Sequence, residues 1–277
     1  MPTILKKETL SPNVFRLRLD APRIAKKRRA GQFIILRPFE MSERIPLTIA
    51  DGNPVEGWIE IIFQAVGKTT LLLAKLQAGD SVLDLAGPLG RPTHIENFGR
   101  CLCIGGGVGI APLYPIVKSL KEHGNHLTTI LGARTTDLLL LESEMAATSD
   151  SVHIATDDGS KGTKGFVSQV AQQLFASGEK FDHGFVIGPG PMMKATSQVL
   201  LAAGIPTHVS LNPIMIDGTG MCGGCRVTIG GQTKFACVDG PEFEADKVDW
   251  DELFKRLSSY KILEEQARKD HACKVEA

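Results

Sequence analysis

The sequence is poor in aromatic residues, which make up 6% of its 277 positions and include two Trp and two Tyr. It has no surplus of charge, since 31 Lys and Arg balance 31 Asp and Glu. A balanced chain carries no electrostatic footprint for nucleic acid or an anionic membrane, so neither is expected as a partner. No apolar run reaches the ~18 residues of a spanning helix, and Met1-Pro-Thr-Ile-Leu-Lys-Lys-Glu contains no apolar signal segment. Six cysteines without a secretion signal point to a reducing cytoplasm and metal ligation, not to a disulfide framework. Internal repeats and low-complexity linkers are absent. The length suits two ordinary domains, each able to bury its own core.

Against that background, Asp217-Gly-Thr-Gly-Met-Cys222-Gly-Gly-Cys225-Arg stands out, together with Cys237. The spacing of Cys222 and Cys225 lets two thiolates reach one metal centre. Val227-Thr-Ile-Gly-Gly-Gln-Thr-Lys-Phe reads as a β-hairpin turning at Gly230-Gly231, which would return Cys237 beside them. Plant-type [2Fe–2S] sites follow C-x4-C-x2-C with a distant fourth Cys. Here the first position falls on Asp217, so the expected ligands are Asp217, Cys222, Cys225 and Cys237. The surrounding glycines let backbone N–H groups approach the sulfurs. A structural zinc uses similar pairs, but no second CxxC or nearby His completes it. A thioredoxin-like pair would sit at a strand-to-helix step, and this one lies in a Gly-rich loop. Asp beside Gly is also ordinary turn chemistry.

The expected fold is an antiparallel β-barrel over 1–98, an α/β parallel-sheet domain over 99–210, and a cluster loop, hairpin and helix over 211–277. Period-two alternation in Val14-Phe-Arg-Leu-Arg-Leu marks a half-buried strand. Further strands are expected at 31–36, 44–49, 58–63 and 81–85, with one helix near 69–76. From Arg100 onward strands at 101–104, 126–131, 151–155, 183–187 and 207–210 alternate with helices near 111–122, 137–147, 167–176 and 192–202, the pattern of βαβ units. Cys101 and Cys103 read as buried thiols within a strand, and Cys273 as a bystander in a polar tail. Trp250, Leu253, Phe254, Leu257 and Ile262 have helical spacing, which predicts one helix from 248 to about 269 that packs on the body and touches a partner.

Gly105-Gly-Gly-Val-Gly-Ile-Ala-Pro112 lies where a strand meets a helix, a place where unpaired N–H groups attract a pyrophosphate. The second strand ends in Gly132-Ala-Arg134 with no acidic residue, so Arg134 suits a 2′-phosphate, an adenine or a ribose. Gly188-Pro-Gly-Pro-Met192 belongs to the same carboxyl edge. Arg44-Ile-Pro-Leu-Thr48 offers a guanidinium for phosphate and a hydroxyl for a heterocycle, and Gly67-Lys-Thr-Thr opens the barrel helix. Each of these also has an ordinary structural reading, as tight turns, an edge strand or a capped helix.

Together, these motifs resemble the ferredoxin–NADP reductase family. The cluster loop narrows the resemblance to the electron-transfer subunits of class B dihydroorotate dehydrogenases. Ser210-Leu-Asn-Pro-Ile-Met-Ile-Asp-Gly-Thr-Gly-Met-Cys-Gly-Gly-Cys-Arg and Ala236-Cys-Val-Asp-Gly-Pro-Glu-Phe narrow it further, to small subunits of NADH-dependent reduced ferredoxin:NADP oxidoreductases, also described as sulfide dehydrogenase small subunits. The resemblance spans nearly the whole chain. Dihydroorotate-type subunits place Cys where Asp217 stands here.

The resemblance implies that Arg44, Pro46, Leu47 and Thr48 hold FAD, with Gly67, Lys68 and Thr69 at its pyrophosphate. It implies that Gly106, Gly107, Val108, Gly109, Ala111 and Pro112 receive NAD(H), or alternatively NADP(H). Arg134, Asp157, Asp158, Gly188, Pro189 and Met192 would frame the rest of that cofactor. It also implies a cytoplasmic heterodimer with a larger FAD and [4Fe–4S] subunit, coupling NADH, NADPH and ferredoxin by electron bifurcation. No general acid, base or nucleophile is required. The electron-transfer subunit of an NAD-dependent dihydroorotate dehydrogenase, a non-catalytic relay and a zinc-stapled binding module are the alternatives.

Overall fold

The computed structural model describes residues 1–267. The expectation for Cys273 and the end of the last helix lie outside them. A six-stranded antiparallel sheet comes first, built from β1 (Ile4–Ser11), β2 (Val14–Asp20), β3 (Phe33–Arg37), β4 (Ile45–Asn53), β5 (Trp58–Gln64) and β6 (Asp84–Leu89) in the order β1-β2-β5-β4-β3-β6. A bridge between Thr3 and Ser81 returns the β6 side to β1 and closes the sheet into a barrel. Ile4, Leu17, Leu19, Ile34, Leu36, Ile59, Ile61 and Phe63 fill its interior. In β2, Leu17 and Leu19 are buried on the face between arginines, as the alternation predicts.

Next comes a seven-stranded sheet of β7 (Arg100–Gly106), β8 (His126–Ala133), β9 (Ser151–Thr156), β10 (Thr163–Lys164), β11 (His183–Ile187), β12 (Thr207–Ser210) and β15 (Glu242–Glu244), ordered β10-β9-β8-β7-β11-β12-β15. All its pairs are parallel except β12 with β15. Helices Ile110–Glu122 and Glu142–Thr148 cover one face, and Val167–Ala176 and Gly190–Ala202 the other. Strand β7 shows why: Cys101 and Cys103 enter the first core while Leu102 and Ile104 enter the second. Burial pushes the Cys101 thiol up to about 12 and Cys103 well above its usual value, as expected of inert core thiols.

The order of winding reverses at β7, whose successor β8 lies on one side while β11 lies parallel to it on the other. The carboxyl ends of β7 and β11 therefore part at a topological switch point, where open α/β sheets bind ligands. The hairpin β13 (Arg226–Ile229) and β14 (Gln232–Phe235) turns at Gly230-Gly231.

Four sequence expectations shift. Strand β1 was not anticipated, because Lys6, Lys7 and Glu8 obscure its alternation. Ser81 contributes a single bridge, and the strand proper begins at Asp84. The helix expected over 137–147 is a short 3-10 turn at Thr136–Leu138 followed by Glu142–Thr148, with Leu141 left-handed at φ 53° between them. The last helix runs Trp250–Ser258 and turns at 259–260 before a second helical stretch. Trp250 and Leu253 are buried as expected, but Ile262 is 82% exposed, so the apolar stripe packs only in its first half.

Candidate functional site

Two adjoining cavities lie along the barrel–sheet boundary. The first, of about 470 Å³, is lined by Pro46, Leu47 and Thr48 of β4, Ile62 to Gln64 of β5, and Gly109, Ala111 and Pro112 at the helix start, with Gly188 and Pro189 from beyond β11. Strand pairing explains its shape. Residues Ile45 to Thr48 pair only with β3, and the ladder to β5 begins at Ile49. One side of the β4 backbone therefore faces the cavity, and Pro46, which has no N–H to offer, sits where none is needed.

The second cavity, of about 600 Å³, is lined by Gly106, Gly107, Val108, Arg134, Asp157, Phe166, Pro189 and Met192, among others. Its floor is the carboxyl edge of β7, β8 and β9. Gln64, Val108 and Pro189 line both cavities and stand at their junction.

The glycines allow the close approach. A Cβ on Gly109 would fall 2.6 Å from Cα of Gly188, so the turn after β7 and the turn after β11 touch backbone to backbone. Gly107 has φ 55°, which orients the turn leading into helix Ile110–Glu122.

Five expected cofactor residues lie outside both linings. Arg44 Nε donates to the Ile216 carbonyl at 3.1 Å, and its Nη1 lies 3.5 Å from Asp84, so it ties the barrel to the chain entering the cysteine loop. Gly67 is the N-cap of the Lys68–Leu73 helix. Thr69 is buried and its hydroxyl accepts from the Glu43 N–H, so Thr70 faces the cavity in its place. Lys68 precedes it on the same helix. Asp158 turns back to Ser160, whose hydroxyl and N–H hold its carboxylate below the usual range.

The cysteine loop begins two residues beyond Met215, which lines the smaller cavity. Gly218 packs against Ile35 and Leu89 of the barrel, at a spacing no Cβ would permit. The Asp217 carboxylate accepts from the N–H groups of Thr219 at 2.9 Å and Cys222 at 2.8 Å, and these donors hold it below the usual range. Cys225 and Cys237 are buried with sulfurs 3.2 Å apart and unbridged, whereas Cys222 is exposed. Burial, and then the contact with Cys225, push the Cys237 thiol up to about 12. The Gly224 N–H points at Cys222 Sγ from 3.4 Å, and the Cys237 N–H at Cys225 Sγ from 3.5 Å. Two buried thiols facing each other, with N–H groups directed at sulfur, form a donor set suited to a thiolate-ligated metal group. Among the described residues, no three His, Cys, Asp or Glu side chains converge, and Asp217 caps the turn through the Thr219 and Cys222 N–H groups.

Sequence reasoning missed Gln64, Thr70 and Phe166. Phe166 caps the helix Val167–Ala176 with its ring 63% exposed in the larger cavity, and an isolated Phe between two elements carries no pattern signal. Gln64 is the polar residue that ends the apolar run Ile61-Ile62-Phe63, a faint cue of an edge facing something other than core.

Comparison with known proteins agrees with this geometry. Residues 212–249 match the iron–sulfur cluster binding domain of dihydroorotate dehydrogenase B, and residues 103–198 match an oxidoreductase NAD-binding domain. The chain is 52% identical, over 94% of its length and 92% of the relative's, to a dihydroorotate dehydrogenase B (NAD(+)) electron transfer subunit homolog of Thermotoga maritima. It is 34% identical, over 89% of its length and 96% of the relative's, to the electron transfer subunit of that enzyme from Geobacillus thermodenitrificans. Among solved structures, a chain of NADH-dependent reduced ferredoxin-NADP oxidoreductase, studied for flavin-based electron bifurcation, superposes with TM-score 0.92 at 49% identity, covering 98% of this chain and 97% of that one. No helix among the described residues is long and apolar enough to cross a membrane.

Proposed function

The chain belongs to the family of dihydroorotate dehydrogenase B electron transfer subunits and their homologues, and from that premise we propose that it exchanges electrons between NAD(H) and a larger partner by way of FAD and a [2Fe–2S] cluster. When bound, these groups supply hydride exchange with the nicotinamide and then release of electrons one at a time. The junction carries the reading: a flavin-sized slot and a dinucleotide-sized cavity meet at Gln64, Val108 and Pro189, and Met215 connects the slot to the cysteine loop.

The chain's own residues supply position. Pro46, Leu47 and Thr48 present an open strand edge to the flavin ring, and Thr70 closes one end. Gly106, Gly107 and Val108 let the dinucleotide approach the turn, with Met192, Arg134 and Asp157 along its path and Phe166 placed to stack on the adenine, whereas Gly109, Ala111, Pro112 and Gly188, expected at NAD(H), line the flavin slot. Arg44 holds the cysteine loop to the barrel by the Ile216 carbonyl. Asp217, Cys222, Cys225 and Cys237 hold the cluster. Division of the chain at 98 and 210 separates the flavin, dinucleotide and cluster units.

The partner is the larger FAD and [4Fe–4S] subunit of a bifurcating reductase that couples NADH, NADPH and ferredoxin. Superposition on a reductase chain with TM-score 0.92 at 49% identity supports that choice, beside 52% identity to a relative named only as a homolog of the dihydroorotate dehydrogenase subunit and 34% to a relative named as that subunit itself. Anaerobic titration of the FAD-loaded complex tests the function. NADH is expected to bleach the flavin within the mixing time, and a flavin left oxidised by excess NADH would overturn the reading.

A further inference from the structure

Among the described residues, the side-chain amide of Gln64 has no partner. None of the described residues donates to it or accepts from it, whereas the amides of Gln32 and Gln169 are engaged by neighbouring backbone groups or turns. Gln64 ends β5, opposite Val14 of β2 in the ladder, so its backbone is fixed by strand pairing. It is half-buried and lines both cavities. The two other residues shared by the cavities, Val108 and Pro189, have no polar side-chain atoms. Among the side chains that line both cavities, Gln64 therefore brings the one hydrogen-bonding group, an amide held ready where the flavin slot meets the dinucleotide cavity.

A nicotinamide that exchanges hydride with the flavin must lie at this junction, since its ring has to reach the flavin while its phosphates remain in the larger cavity. The ring carries one polar substituent, a primary carboxamide. An amide side chain complements a carboxamide on both sides, accepting from its NH₂ through Oε1 and donating to its oxygen through Nε2. We propose that Gln64 anchors the nicotinamide carboxamide and so selects the face and distance at which the ring meets the flavin. This inference rests on the function proposed above.

The test is binding, not turnover. Calorimetry on the oxidised, FAD-loaded chain measures NAD⁺ and 3-acetylpyridine adenine dinucleotide, whose methyl ketone lacks the NH₂ donor. Wild type is expected to bind NAD⁺ about tenfold more tightly than the analogue, the scale of one neutral hydrogen bond lost. Gln64→Leu is expected to bind the two equally. Gln64→Glu keeps an acceptor for the NH₂ and is expected to keep the preference. A Gln64→Leu chain that discriminates as wild type does overturns the inference alone. A wild type that binds neither dinucleotide overturns both this inference and the functional reading beneath it.

Discussion

Replacing Gly109 by Ala sets sterics against backbone preference. Gly109 has φ −64° and ψ −12°, a conformation Ala adopts freely, and at such a position Gly→Ala gains about 0.4–1 kcal/mol by restricting the unfolded chain. The new Cβ would fall 2.6 Å from Cα of Gly188 and 2.7 Å from the Ile187 carbonyl oxygen, where ordinary contact begins at 3.4 Å. The backbone after β11 must then retreat by about 0.8 Å. That backbone ends an interior strand of the sheet and cannot swing aside as a side-chain tip can. Overpacking of this kind costs about 1–3 kcal/mol, which outweighs that gain. Gly109 and Gly188 both line the smaller cavity, so the displacement opens the flavin slot, and FAD affinity is expected to fall about tenfold. Gly107→Ala is the control: nothing lies within 4 Å of its Cβ, and φ 55° costs about 1–2 kcal/mol of strain without moving Gly188. Urea unfolding followed by circular dichroism reads the stability, and FAD release followed by fluorescence reads the slot. Both variants should lose stability, but only Gly109→Ala should lose FAD. A Gly109→Ala chain that retains FAD like wild type would refute the close-approach reasoning.

Two buried groups give opposite pH slopes. Burial pushes the Glu242 carboxyl up to about 7, so the folded chain keeps a proton that the unfolded chain releases above 4.5, and this contribution is lost as pH rises through 7. Burial, and then His208, pull His183 down to about 4, so its contribution is present above 6.5 and lost as pH falls toward 4. Relative to wild type, Glu242→Gln should gain about 1–2 kcal/mol between pH 5 and 7 and His183→Phe should lose a similar amount, both measured by urea unfolding; parallel curves would refute the assignment. Phe166→Ala should weaken NAD⁺ binding several-fold in calorimetry, with the flavin spectrum unchanged. Asp217→Ala should reduce iron content and alter the cluster's EPR signal; unchanged iron and EPR would leave Asp217 as a turn cap only.

The sheets were legible because their signals are local. Val14 to Leu19 alternates, Cys101 to Ile104 is apolar on both faces, and glycines punctuate the strand ends. The βα pattern after Arg100 gave the parallel sheet, and the Gly105 to Pro112 and Gly188 to Met192 turns were readable as its ligand edge. The limits of that reading are equally physical. Strand β1 carries charges on its exposed positions, and its pairing with β2 fixes it more than its own pattern does. Strand β15 joins β12 from 32 residues away, a contact no local period encodes. Thr69 and Thr70 are adjacent and chemically alike, and only the helix phase shows that Thr70 faces the cavity while Thr69 is buried. Gln64 and Phe166 act through cavities assembled from distant segments, so neither has a motif. Arg44 was readable as a functional guanidinium, but its carbonyl partner lies 172 residues away.

Cys225 is the test point for the whole electron path, because it is buried against Cys237 and lines neither cavity. The decisive measurement is iron analysis with EPR of the anaerobically purified complex, reduced by NADH, for wild type and Cys225→Ser. Wild type should show a reduced [2Fe–2S] signal, and Cys225→Ser should lose that signal, most of its iron at this centre and its long-wavelength absorbance while its flavin still bleaches. A Cys225→Ser chain with iron, absorbance and EPR signal intact would contradict the account.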